Sequence, residues 1–160
     1  MKKINILIII LSFFFMSCTL TNKKELKKIK KEKEITTRST AIRFLPEYYT
    51  SGKTITVKIV VSPAKKTSGI IVEEKIPERW EIIKSIPQYM KRQKNTYKYL
   101  FYGKEVLPFE ITYTVKIPEG ENGEKEFKGI IKTFREKNIP IGGDNKINPK
   151  GGPGLENLVL

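Results

Sequence analysis

The sequence predicts an all-β domain, a two-sheet antiparallel sandwich of about seven to eight strands. Three observations predict it. Between Ser39 and Ile147 the chain alternates apolar and polar residues with period two and is rich in Val, Ile, Thr and Tyr, which is the pattern of strands with one buried face. Pro or Gly closes most of the alternating runs, and no run there has helical spacing of apolar residues. The runs recur every 10 to 14 residues or so, a spacing typical of sandwiches.

Taken in order, "KTITVKIVVSP" sets Ile55, Val57, Ile59 and Val61 on one face and ends at Pro63. "SGIIVEEKIP" closes at Pro77 and "RWEIIKSIP" at Pro87. "NTYKYLFYG" carries Tyr97, Tyr99 and Phe101 on one face. "FEITYTVKIPEG" alternates Phe109, Ile111, Tyr113, Val115 and Ile117, then turns at Pro118 and Gly120. "KEFKGIIKTF" follows Asn122-Gly123, and "NIPIGGDNKI" holds a short last strand. The expected core contains Ile55, Val57, Ile59, Trp80, Ile111, Tyr113 and Val115.

The start of the chain has a different texture. Lys2 and Lys3 precede an almost wholly apolar run, Ile4 to Phe15. About a dozen residues is too short to span a bilayer, which needs about 20, and matches the apolar part of a signal peptide. Ser17 and Cys18 follow. The order basic, apolar, small, Cys resembles the signal and lipobox of bacterial lipoproteins. Phe15 and Met16 depart from that pattern, which favours Leu and a small residue there; Ser17 and Cys18 fit it. The resemblance implies that Cys18 receives a diacylglycerol on sulfur, becomes the mature N-terminus and is acylated on its amine. It implies anchoring to a membrane in the bacterial cell envelope, at the outer membrane or cell surface rather than the inner membrane. Cys18 is the only cysteine in the chain, so an internal disulfide is excluded.

Residues 1–17 are thus expected to be a signal peptide, 18–38 a lipidated N-terminus with a basic linker, 39–147 the sandwich, and 148–160 a flexible tail rich in Gly and Pro. The linker is densest in charge from Lys23 to Lys33. Its i,i+4 lysine pairs disfavour a helix, and it is a solvated tether that can also lie on anionic lipid. The formal charge of +14 goes with abundant Lys and Ile and little Ala. That bias discounts nucleic acid as a partner and leaves anionic envelope components.

From Arg38 to Ile147 an ordered series of phrases resembles an immunoglobulin-like β-sandwich module found in large bacterial exported proteins. The phrases are "RFLPEYYTSGKTITVKIVVSP", "IIVEEKIPERWEI", "ITYTVKIPEG", "EFKGII" and "PIGGDNKI". In that family the module accompanies catalytic, adhesive or carbohydrate-binding parts and has no activity of its own, so the resemblance implies no catalytic residue and no cofactor.

The residue inventory points the same way. Histidine is absent, which removes Ser-His and Cys-His pairs and histidine metal ligands. Glu73 and Glu74 are adjacent, so on a strand they face opposite ways. Glu78 and Glu81 flank Trp80, as a sugar platform would, but a core tryptophan on a turn beside solvated acids is the expected arrangement. "GGDNKIN" has Lys146 where a calcium loop needs a ligand, and no metal site is expected. Two function classes stay open: a non-catalytic envelope module that binds a protein or glycan, and an envelope glycan hydrolase using Glu carboxylates. For the first, the candidate contact set is Tyr48, Tyr49, Lys91, Arg92 and Tyr102, expected in loops where alternation breaks down.

Overall fold

The computed structural model describes residues 38–151, and among them strands and turns account for all regular structure. The signal segment, Cys18, the basic linker and most of the tail lie outside the described residues. The strands are β1 (Thr40–Phe44), β2 (Tyr48–Tyr49), β3 (Thr54–Ser62), β4 (Gly69–Lys75), β5 (Glu81–Ile86), β6 (Lys91–Gln93), β7 (Thr96–Tyr102), β8 (Phe109–Lys116), β9 (Lys125–Glu126), β10 (Lys128–Thr133), β11 (Ile139–Pro140), β12 (Gly142–Gly143) and β13 (Lys146–Pro149). Eight of them are four residues or longer, and six of these, β3, β4, β5, β7, β8 and β10, fall on expected runs. The other five are stubs of two or three residues, too short to show a period-two signal.

Two five-stranded sheets face each other, in the orders β12-β1-β3-β8-β5 and β11-β10-β4-β7-β6; a small third sheet, β2-β13-β9, closes one end. The chain is antiparallel except where β12 lies parallel to β1 and β13 parallel to β2. The expected core faces are the observed ones. Ile55, Val57, Ile59 and Val61 of β3 are buried, as are Ile111, Tyr113 and Val115 of β8. Each such Val or Ile contributes about 1.5 to 3 kcal/mol by leaving water. From the facing sheet, Ile70, Val72, Tyr97, Tyr99 and Ile131 complete the interior.

One expected strand is two. "KEFKGIIKTF" is interrupted at Phe127, whose N–H donates to the Asn145 carbonyl at 2.7 Å. β9 then pairs with β13 while β10 pairs with β4. The break sends the Phe127 ring against Trp80, with centroids 5.9 Å apart in an edge-on arrangement. The close of the domain differs likewise: "NIPIGGDNKI" forms the stubs β11 and β12 and the start of β13, on three sheets, not one last strand. Gly143, at φ +80°, permits this, because a Cβ there would lie 2.3 Å from the Arg43 carbonyl oxygen.

The strand that the alternation did not advertise is β1. Ala41 and Arg43 point inward, and an arginine in the inward row hides the pattern. Arg43 is 1% exposed and Glu74 of β4 is fully buried. They form a bidentate pair, Arg43 Nε to Glu74 Oε1 at 2.8 Å and Nη2 to Oε2 at 2.7 Å. Tyr113 of β8 donates its hydroxyl to Glu74 Oε1 at 2.7 Å. Arg43 also donates to the Asp144 carbonyl at 3.1 Å. The network ties one sheet to the other with the carboxylate's acceptors filled, which a buried charge requires.

Candidate binding surface

Alternation along the strands disperses the five residues singled out as a contact set. Tyr48 and Tyr49 are neighbours on β2, so their side chains leave opposite faces. Tyr48 is exposed, with the Lys150 ammonium 5.3 Å from its ring centre. Tyr49 is not a surface residue: it is fully buried, edge-on to Trp80 at 5.1 Å, and donates its hydroxyl to the Gly123 carbonyl at 2.7 Å. Lys91 and Arg92 lie on β6, opposite Lys98 and Tyr97. Tyr102 lies at the far end of β7, opposite Gly69. Five strand residues, about 17 Å, separate Tyr97 from Tyr102. The set therefore forms no single patch, and its members sit on strands rather than in loops.

Arg92 belongs to a better-defined feature. An open groove of about 330 Å³ runs along the Trp80 end, bordered by Arg79, Glu81, Arg92, Lys94 and Asn95. The loops that build it are tied together: Asn95 donates its side-chain amide to the Ile76 carbonyl at 2.7 Å, and the Ile76 N–H donates to the Asn95 carbonyl at 3.0 Å. Arg79 and Lys94 both have left-handed backbones, φ 65° and 54°, a conformation that non-glycine residues hold only when their surroundings impose it.

Both guanidinium groups are oriented. Arg79 pairs with Glu121, which also receives Lys125 at 2.5 Å. The Lys125 ammonium, more than any other neighbour, holds the Glu121 carboxyl below its usual range. Arg92 pairs with Glu81, donates from Nε to the Lys94 carbonyl at 3.1 Å, and stands 5.4 Å over the Tyr97 ring. Its bond to Glu81 raises its pKa further. Lys91 and Lys94 have no ion-pair partner among the described residues. The groove thus presents fixed guanidinium groups and the unpaired Lys94 ammonium, a surface that suits carboxylates, while Lys91 lies outside it.

Trp80 borders this groove but presents no open ring face to it. It is 1% exposed, clamped edge-on between Tyr49 and Phe127. Its Nε1–H has no hydrogen-bond partner of normal geometry, although the indole adds a little to the lowering of the nearby Glu121 carboxyl. Glu78 and Glu81 stay exposed on either side.

Glu73, Glu74 and Asp144 are already engaged. Glu73 and Glu74 face opposite ways, as alternation requires. Glu73 takes Lys98 at 2.9 Å and Lys132 at 3.1 Å on the outer face. Burial pushes the Glu74 carboxyl upward against the pull of Arg43 and Tyr113, and the same burial, reinforced by Glu74, keeps the Tyr113 phenol protonated as a donor. Asp144 accepts from the Leu45 N–H at 3.1 Å, fastening the chain rather than forming a loop for calcium. Glu74 was legible as an inward position, since it continues the Ile70, Val72 row; its charge argued against placing it there.

No family model matches the chain. An uncharacterized protein of the archaeon Archaeoglobus fulgidus is 33% identical over 134 residues, which cover 78% of this chain and 79% of the relative. The chain belongs to the same family. That family thus has an archaeal member. Among solved structures, a non-cellulosomal cohesin from the same hyperthermophilic archaeon overlaps 71% of this chain and 91% of its own, at 12% identity and a TM-score of 0.49. We draw nothing about function from that overlap.

Proposed function

We propose that this protein is a lipid-anchored component of the cell envelope whose β-sandwich holds a protein or glycan partner and does not turn it over. The observation that carries the binding role is the groove at the Trp80 end, where Arg79 and Arg92 are each fixed by a carboxylate and Lys94 remains unpaired among the described residues. Preorganised donors of this kind suit an acidic segment of a protein or an acidic glycan. The sealing of Glu74 beneath Arg43 and Tyr113 supports a structural and not a catalytic use of that buried carboxylate. The anchor is Cys18, on the strength of the Ser17-Cys18 order after an apolar run. A tether raises the local concentration of the groove near its partner, so a weak contact suffices.

The test joins the two halves. Cys18→Ala is expected to abolish incorporation of labelled lipid and leave an unprocessed chain. A photoreactive side chain at Lys94 is expected to capture a discrete envelope protein or acidic glycan, and Arg79→Glu with Arg92→Glu to abolish the capture while far-UV circular dichroism is unchanged. A mature chain with a free Cys18 thiol refutes the anchor. Capture that survives both charge reversals refutes the groove.

A further inference from the structure

We propose that the opposite end of the sandwich, where the N-terminal chain enters, is a docking surface for an anionic lipid bilayer. Three loops meet there: residues 63–68, 103–108 and 134–138. The three most exposed large apolar side chains among the described residues all belong to this end: Phe134 at 96%, Tyr102 at 82% and Leu107 at 72%. Burial of Phe101 against Phe109, whose rings stack 3.8 Å apart, leaves an open groove of about 460 Å³ above them, bordered by Leu100, Tyr102, Val106 and Leu107.

The cations are concentrated in the same place. Arg38, Lys65, Lys66, Lys104, Arg135 and Lys137 are exposed and have no ion-pair partner among the described residues. The two carboxylates of these loops serve the backbone instead. Glu105 accepts from the Lys66 N–H at 2.8 Å, and Glu136 accepts from the Ser39 N–H at 3.1 Å. The loops are consequently held in place. The Thr133 N–H donates to the Glu136 carbonyl at 2.7 Å, and the Glu136 N–H returns a bond to Thr133 Oγ1 at 2.9 Å, which lifts Phe134 and Arg135 to the tip of a tight turn. The Gly103 N–H donates to the Ser68 carbonyl at 2.9 Å and the Val106 N–H to the Thr67 carbonyl at 2.7 Å.

Isolated apolar tips set among unpaired cations are the pattern of an interfacial contact, in which rings enter the headgroup region and ammonium groups meet lipid phosphates. The position of the N-terminal chain selects the bilayer over an acidic protein as the occupant. Ser39 is bound to the Phe134 turn through Glu136, so the basic segment Lys23–Lys33 and Cys18 are joined covalently to this end. The setting rests on the lipid-anchored reading, but the contact itself is independent of Cys18.

Residues 18–160 carrying Cys18→Ser, without the apolar run Ile4 to Phe15 that would itself enter a bilayer, separate the two. Phe134→Trp and, as a control at the other end, Tyr48→Trp are mixed with vesicles of phosphatidylcholine alone or with phosphatidylglycerol added, both with brominated acyl chains. Trp80, buried in all variants, gives a constant background. The expected result is quenching of the tryptophan at 134 and not of that at 48, only with phosphatidylglycerol present. Lys65→Glu, Lys66→Glu and Lys104→Glu together are expected to weaken vesicle binding roughly tenfold or more. Binding without quenching at 134 means that the basic tether alone holds the membrane, and overturns the proposal. So does absence of binding, or capture of a protein by a photoreactive side chain at 134. None of these outcomes bears on whether Cys18 is acylated.

Discussion

Replacing Glu74 by leucine leaves the Arg43 guanidinium buried without its counter-charge, and Tyr113 without its acceptor. Breaking one side of a buried pair costs about 3 to 5 kcal/mol. Removing both charges, as in Arg43→Met with Glu74→Leu, is expected to cost less than Glu74→Leu alone, because no uncompensated ion remains. Urea unfolding of the three proteins checks the order; a double variant less stable than the single would contradict it. Gly129 belongs to the same network. A Cβ at that position would stand 2.5 Å from Glu74 Oε2 and 2.8 Å from Arg43 Nη2. Gly129→Ala is therefore expected to destabilise by about 1 to 3 kcal/mol through overpacking alone, a loss read from the same unfolding curves. At this scale the sequence was partly readable. Period two assigns Glu74 to the row of Ile70 and Val72, and Arg43 to the row of Ala41. Their charges conceal them, because only the fold reveals that each is the other's partner across thirty-one residues.

Among the elements, β3 and β8 were legible from one end to the other, because each has one dry face and one wet face. Stubs such as β2, β11 and β12 were not, since two residues carry no period and their pairing depends on neighbours distant in sequence. Trp80 was legible as core, and its clamp by Tyr49 and Phe127 makes Trp80→Ala worth about 3 to 5 kcal/mol, measurable by the same denaturation. Phe127 itself was not, for it interrupts a strand in order to reach the indole. Outside the core, Glu73 on β4 is held below its usual pKa by Lys98 first and then Lys132. A depressed folded-state value means that the unfolded chain binds the proton more readily. Its stabilisation is thus complete above the ordinary value of 4.5 and is lost as pH falls through the lower folded value. Glu73→Gln is expected to flatten the acid limb of a stability-against-pH curve. An acid limb of unchanged steepness would assign that dependence to other carboxyl groups.

For the whole molecule, the two ends of the sandwich differ in kind. The Trp80 end carries oriented guanidinium groups and a charged groove; the other carries exposed rings, unpaired cations and the entering chain. The five-residue contact set read from the sequence mixed these ends, since it linked Tyr48 and Arg92 with Tyr102 as aromatic and basic residues expected in loops. Sequence spacing cannot tell which end of a strand a residue occupies until the pairing register is known. With the register in hand, the arrangement suits a domain that rests on a membrane at one end and offers the other to a partner. Photo-crosslinking in intact cells from Lys94 and from Phe134, in parallel, tests this most directly. The account predicts that position 94 yields a discrete envelope protein or acidic glycan and position 134 yields lipid. The same products from both positions would contradict it, as would cleavage of envelope glycan by the purified protein that a single Glu→Gln change abolishes.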